Sequence, residues 1–444
     1  MIIEQFENKP LAHFSYAIVS EKERKIVLID PSRDPQPYYD FARRHNAVIT
    51  AVIETHPHAD FVSSHLEISR TTGAAIYTSS LAHAKYEHHA FDNGSVLSFG
   101  EFDLKALNTP GHSPDSISVV LEKDGKDYAV FTGDTLFIGD SGRPDLREEA
   151  GIQTASRETL AKAMYHSLRK VLGSLSDEVI VYPAHGAGSL CGKSLKDALS
   201  STIGEEKAGN WSMQDMPEDE FVTQLLSDQP FIPAYFGFDV EVNLSGAAAL
   251  AESVNQINIV QQPSMASLGD TLIIDTRDKK QFESGHLSHS INLMATGTFE
   301  TWLGTLVKPG EKFFLTAGDI TTLSHVIKRA AAIGYEPFIK AAFVFEKGQE
   351  TQPVLDIEYF KSNKDQFTII DVRNEAEVKA HRVFPESISI PLHELAQREH
   401  EIPLTRPVVV HCAGGYRSAA ASSLLGEKLD GVTVYDLGAH IKSF

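Results

Sequence analysis

Hydrophobic residues along the chain follow two rhythms. Short apolar or alternating runs predict strands at FSYAIVS (14–20), KIVLID (25–30), AVIET (51–55), AAIYT (74–78), FDLKALNT (102–109), SISVVLE (116–122), YAVFTGD (128–134) and EVIVYPA (178–184). Helices are predicted over 35–45, 61–72, 157–172 and 192–209. Strands separated by helices imply sheets with helices on their faces. The stretch GAAALAESVNQINIVQQPSMASLGD (246–270) then breaks the rhythm with a Gln-Gln-Pro-Ser run, which suits a domain entrance. Beyond it the chain repeats itself. LIIDTRDKKQFESGHLSHSINL (272–293) parallels TIIDVRNEAEVKAHRVFPESISIPL (368–392): an apolar strand, Asp-x-Arg, a short helix and a second strand. Asp275 and Asp371 open units about a hundred residues apart, the span of a small α/β domain, so a tandem pair is expected rather than a solenoid.

Bulk properties narrow the function. At 444 residues and 42% hydrophobic content, the chain is long enough for several domains with buried cores. A net charge of -20 argues against nucleic acid as partner, because that binding needs cationic side chains on phosphates. The only cysteines, Cys191 and Cys412, fall in different predicted domains, so no disulfide framework is expected and a reducing compartment fits. The start, MIIEQFENKPLAHF, lacks a basic segment followed by an apolar run, and no apolar stretch nears the ~20 residues that span a bilayer. A cytoplasmic protein without membrane attachment is the expectation.

Four segments at predicted strand ends carry metal-ligand chemistry: THPHADF (55–61), NTPGHSPDS (108–116), VFTGDTLF (130–137) and VYPAHG (181–186). His56, His58 and Asp60 can face one point, with His112, Asp134 and His185 completing the cluster from other strand ends. Imidazole and carboxylate ligands suit zinc and iron(II) alike. Isolated histidines such as His45, His83 and the His88–His89 pair suit ordinary local hydrogen bonding.

These segments resemble the metallo-β-lactamase fold, which implies an αββα sandwich over 1–250 with its site at the open edge. Two branches are similar. Glyoxalase II-type hydrolases hold two metals and have a histidine where this chain has Phe61, which offers no lone pair. The persulfide dioxygenase group resembles TGDTLFIGDSGRPDL (132–146) and holds one Fe(II) per chain. That resemblance implies His56, His112 and Asp134 as ligands, a facial triad with open positions for substrate and O₂. His58, Asp60 and His185 would then orient ligands or waters. This group also usually has His at the Phe61 position, although not as a ligand. Arg143 and Asp145, on a Gly-containing loop, are candidates for pairing with an anionic part of the substrate, or equally for a salt bridge within the loop. Cys191 is a possible second thiol: ahead of the predicted helix at 192–209 its thiolate would be favoured, whereas a buried structural cysteine there would be inert.

RPVVVHCAGGYRSAAASSLL (406–425) runs from an apolar strand through Cys412 into a helix. Ala413, Gly414, Gly415 and Tyr416 form a loop whose amides can face the sulfur, and Arg417 adds charge or braces it. With Asp371-Val-Arg373 ahead of it, this resembles the rhodanese family over 352–444; KAHRVFPESISIPL (379–392) departs where the family usually has Gly-His. The unit at 255–350 resembles a rhodanese that has lost its nucleophile, with Thr316-Ala317-Gly318-Asp319 at the loop. Together the resemblances imply oxidation of a low-molecular-weight thiol persulfide by O₂ to sulfite, with thiosulfate made or used at Cys412, in sulfide detoxification by a homo-oligomer. Two alternatives stand beside this: a dinuclear zinc thioesterase with a sulfurtransferase attached, and a non-catalytic persulfide carrier or sensor.

Overall fold

A computed structural model describes residues 1–146, 155–261, 263 and 265–444. The chain divides into two compact units, Met1–Glu252 with Ala331–Gly334, and Ser253–Ala330 with Tyr335–Phe444. Among the described residues no helix is long and apolar enough to cross a membrane.

Two six-stranded sheets form the first unit. One runs, in spatial order, Ile2–Asn8, His13–Ser20, Lys25–Ile29, Val48–Ile53, Ala75–Thr78 and His89–Ala90. The other runs Ser201–Thr202, Ile180–Pro183, Lys126–Gly133, Ile117–Lys123, Asp103–Asn108 and Val96–Ser98. The period-two pattern explains the layers, since successive side chains leave a strand on opposite faces. Tyr16, Ile18, Val27 and Ile29 meet Leu104, Ala106, Val119 and Phe131 between the sheets. Ala17, Val19, Ile26 and Leu28, their immediate neighbours in sequence, pack outward on Tyr38, Phe41 and Ile68 of the helices Gln36–Arg44 and His65–Thr72. Val120, Val130 and Val181 pack on the helices Arg157–His166 and Glu218–Leu226. Each such buried side chain contributes roughly 1.5–3 kcal/mol of transfer free energy, so the strand alternation dictates the αββα stack.

Two helix expectations change. The helix expected from 61 begins at His65, because Asn243 takes the chain before it: its Nδ2 donates to the carbonyls of His58 and Phe61, and its Oδ1 accepts from Ser63 N–H. The helix expected over 192–209 survives only as Ile203–Gly209. Residues before it are drawn onto a neighbouring loop. Asp140 Oδ2 accepts from the amides of Lys193 and Ser194, and Ile138 O from that of Lys196.

The second unit contains the repeat. Its first parallel sheet orders Ser290–Asn292, Ile273–Asp275, Phe313–Ala317, Ile339–Val344 and Ile259–Val260; its second orders Ile388–Ser389, Thr368–Asp371, Val408–His411 and Val434–Asp436. The first four positions match one for one. The Asp-x-Arg motifs also match. Arg277 and Arg373 each grip the aspartate two residues earlier through Nε and Nη2, and each Nη2 also donates to a carbonyl eight residues on, Gly285 O or His381 O, at 2.9 and 2.8 Å. The pair braces the loop after the strand in both halves, which is why it persists where the nucleophile does not. His381 occupies the place of Gly285 in this brace.

Candidate functional site

Four strands of the first unit, Val48–Ile53, Asp103–Asn108, Lys126–Gly133 and Ile180–Pro183, end at one edge of the sandwich, and the histidine- and aspartate-bearing loops follow them. Backbone bonds tie these ends together: Ile117 N to Thr55 O, Ala184 N to Gly133 O and Phe14 N to Ala184 O. Close approach dictates two glycines. Gly133 has φ +52°, and a Cβ there would lie 2.6 Å from Thr55 Oγ1. A Cβ on Gly142 would lie 1.9 Å from the Asp134 carbonyl oxygen, so this position of the GDSGRPD segment admits no side chain.

Donor atoms of His56, His112 and Asp134 lie within 4.8 Å of one another, all buried. Asp134 Oδ2 is 3.9 Å from His56 Nε2 and 3.5 Å from His112 Nε2. The His56 tautomer follows from its neighbours. Thr55 Oγ1 donates to Asp30 Oδ2 at 2.8 Å, so it can only accept from His56 Nδ1–H, 3.0 Å away. The Nε2 lone pair is thereby left facing Asp134. Among the described residues Asp134 Oδ2 has no hydrogen-bond partner although buried, a costly arrangement for a carboxylate oxygen unless a cation completes it. Two imidazoles and a carboxylate fit a divalent transition metal.

The other three candidates flank this group. His185 spans two carboxylates, with Nδ1 2.8 Å from Asp134 Oδ1 and Nε2 2.8 Å from Asp60 Oδ2. Burial lowers its pKa, but Asp134 and Asp60 outweigh that and hold it well above the ordinary range. Asp134 is held well below its usual range: burial opposes this, and His185 and His112 overcome it. His58 turns away onto Asp30, 3.1 Å from Nε2, with Glu54 3.7 Å away. Burial raises the pKa of Glu54 above the ordinary carboxylate range, with the His58 charge opposing and the Asp30 charge adding to it; Glu54 accepts from Ser63 Oγ. The Phe61 ring packs at a tilt against His13 and His58, at centroid distances of 3.9 and 4.3 Å.

Asp30, Glu54, Thr55, His13 and Asn243 escaped the sequence reading. Only His13 carried a signal there, an imidazole at the start of an apolar strand; Asp30 and Asn243 meet partners distant in the chain, and Thr55 and Glu54 serve near neighbours through geometry that residue order does not reveal.

Two candidates take the structural one of the alternatives open to them in the sequence. Arg143 and Asp145 are buried, they bind each other through two bonds of 2.7 and 2.6 Å, and Arg143 Nη1 donates to Leu190 O and Pro230 O. They brace the loop. Cys191 has no helix N-terminus behind it. It is buried beside Asp60 and His185, and burial together with the charges of Asp60 and Asp134 pushes its thiol well above the ordinary range.

The Cys412 loop links the strand Val408–His411 to the helix Tyr416–Lys428. Gly415, at φ +102°, points its N–H at Cys412 Sγ, 3.1 Å away, and Ser418 Oγ lies 3.6 Å from the sulfur. Among the described residues no side chain caps this helix, so its N-terminal amides are available to an anion on the sulfur. Arg417 grips Glu377 through bonds of 2.5 and 2.8 Å. This braces the loop and keeps Glu377 below its usual range against the effect of burial.

The metallo-beta-lactamase superfamily model matches residues 8–185, and the rhodanese-like domain model matches 356–440. The chain is 30% identical over 237 residues to the cytoplasmic hydroxyacylglutathione hydrolase of Arabidopsis thaliana, covering 52% of this chain and 82% of that protein. It is 31% identical over 179 residues to the mitochondrial persulfide dioxygenase ETHE1 of Homo sapiens, covering 39% of this chain and 63% of that protein. Among solved structures, a metallo-beta-lactamase from Staphylococcus aureus is 30% identical, with TM-score 0.68 over 77% of this chain and 98% of that one. Sandwich, strand-end site and Cys412 loop agree with these matches. The chain belongs to the metallo-beta-lactamase superfamily and joins that domain to a C-terminal rhodanese-like domain, with ETHE1-type proteins among its relatives.

Proposed function

We propose that the chain is an iron(II)-dependent persulfide dioxygenase fused to a sulfurtransferase, in three parts: a dioxygenase domain over 1–250, a Cys-less rhodanese-like domain over 255–350 and an active rhodanese domain over 352–444. The observation that carries this is the convergence of His56, His112 and Asp134, with Phe61 packed on the neighbouring His58 at the position where the two-metal resemblance would have a further imidazole. Iron bound by these three residues supplies redox chemistry with O₂ that zinc lacks. In the overall reaction RSSH, O₂ and water give RSH, sulfite and two protons, the sulfane sulfur losing four electrons to O₂. Thr55 fixes the His56 tautomer, His185 orients Asp134 through Oδ1, and Phe61 packs against His58. At Cys412 the thiolate takes up a sulfane sulfur as a persulfide. Attack of sulfite on its outer sulfur breaks the S–S bond, forms thiosulfate and returns the thiolate. The Gly415 amide stabilises the sulfur anion at the start and end of this step. A role in sulfide detoxification in the cytoplasm accords with two unpaired cysteines.

Metal analysis of protein purified without oxygen tests this, together with O₂ uptake on adding a glutathione persulfide. About one iron per chain with uptake is expected, and uptake survives Cys412→Ser. Two zincs per chain and no uptake would refute it, and loss of all activity in Cys412→Ser would favour a persulfide carrier.

One observation favours a second reading. Asp60, His185 and Cys191 also bring donor atoms within 4.8 Å of one another. They offer a second metal a thiol in place of the imidazole missing at Phe61, as a dinuclear zinc thioesterase would require. Thioester hydrolysis under anaerobic conditions separates the two, because the dioxygenase is silent there.

A further inference from the structure

The Cys-less half of the second unit is built around the start of the active helix. Tyr416 Oη donates to Met294 O at 3.0 Å. Its ring faces Gly297, where a Cβ would lie 3.3 Å from the ring and where φ is +64°. The turn that holds Met294 and Gly297 is braced from behind by the buried Arg329. That guanidinium donates to Ala295 O, Gly297 O and both carboxylate oxygens of Glu300. Charge-assisted bonds in a planar fork fix such a turn in one geometry. Further along the helix, Asn292 N donates to Ser423 Oγ at 2.9 Å.

Tyr416 directly follows the residue whose amide serves Cys412. Gly415 has no side chain to fix its dihedrals; it is held by what lies on either side. On one side a Cβ would meet Gly438 and Ala439 backbone at 3.1 Å, and the Gly438 amide donates to Asp436, itself 2.7 Å from Lys279 of the Cys-less half. On the other side is Tyr416. The repeat supplies an internal contrast. In the Cys-less half Asp319 accepts from Thr322 N at 2.8 Å, so a carboxylate already fills the helix end that sulfur uses in the active half.

We propose that Tyr416, anchored on the Met294–Gly297 turn of the Cys-less half, is a positioning residue for sulfur transfer, holding the Gly415 amide on Cys412 Sγ. The Cys-less half thereby has a function without a thiol of its own: it sets the geometry of its neighbour's loop. This rests on Cys412 being a sulfur carrier.

The test uses the full-length chain with thiosulfate as donor and cyanide as acceptor. Tyr416→Phe keeps the ring and removes one hydrogen bond. A neutral bond of this kind corresponds to a fall in kcat of about three- to tenfold, with KM for thiosulfate unchanged and iron content as in wild type. Gly297→Ala, which drives a methyl group at the ring, is expected to give the same split. Wild-type kcat in Tyr416→Phe, even with a lower melting temperature, overturns the inference, as does a change confined to KM. A wild-type chain that transfers no sulfur overturns the carrier reading itself, and the inference with it.

Discussion

Replacing Thr55 with Val keeps the shape of the side chain and removes its hydroxyl. That hydroxyl sits between Asp30 Oδ2 at 2.8 Å and His56 Nδ1 at 3.0 Å. Each bond contributes roughly 0.5–1.5 kcal/mol, and a buried group left without its partner costs about 1–3 kcal/mol. Asp30 Oδ1 retains the Thr55 amide at 2.7 Å and His58 at 3.1 Å, but the buried Oδ2 loses its bond to the hydroxyl, so one part of the loss falls on Asp30, read in the stability of the metal-free protein, and the other on His56. Its ring loses the acceptor that fixes the tautomer, and Nε2 no longer carries the lone pair at all times. Removing such a partner of a ligating histidine typically weakens metal binding by about 10–100-fold, or about 1.4–2.7 kcal/mol. Competition for Fe(II) against a chelator of known affinity measures this directly, with thermal unfolding of the metal-free protein as control. Iron affinity within about twofold of wild type, in a protein that folds, would falsify the role assigned to Thr55 and weaken the case for His56 as a ligand.

Further outcomes follow from the same geometry. Gly142→Ala sets a Cβ 1.9 Å from the Asp134 carbonyl, a clash with backbone that no rotamer relieves; iron content after purification is expected to collapse, and a normally loaded variant would contradict it. Arg143→Met leaves Asp145 buried and unpaired, a loss of about 3–5 kcal/mol in denaturant unfolding; a raised KM at unchanged stability would restore the substrate-pairing role. The depressed pKa of Glu377 fixes a pH dependence by sign. The unfolded carboxyl binds its proton first as pH falls, so the Glu377–Arg417 contribution is complete above the ordinary glutamate range and disappears as pH drops through the lower folded value. The difference in unfolding midpoint between wild type and Glu377→Gln should therefore be flat at neutral pH and shrink below about pH 4; a difference that grows on acidification would refute the assignment.

Most of the architecture was legible in residue order because it rests on local rules. Alternation along FSYAIVS and KIVLID sends neighbouring residues to opposite faces whatever the rest of the chain does, and it appears as the inner and outer cores of the sandwich. The repeat at Asp275 and Asp371 was legible for the same reason, since Arg277 and Arg373 find their partners two residues away. His56, His112, Asp134 and Cys412 could be picked out because each stands at a strand end in a recognisable segment.

Tertiary packing decided the rest. Nothing near Lys193 forbids a helix; Asp140, more than fifty residues earlier, takes its amide and that of Ser194. Arg143 looked available to an anion, yet the fold closes Leu190 and Pro230 over it. Cys191 looked activated, yet it lies buried among carboxylates. Asp30 acquires its part in the site from Thr55 and His58, both on another strand end. In each case the energy lies in a polar group meeting, or losing, a partner that chain order does not reveal. Buried hydrogen bonds and charges depend on three-dimensional neighbours, whereas strand alternation and a glycine at a tight turn do not.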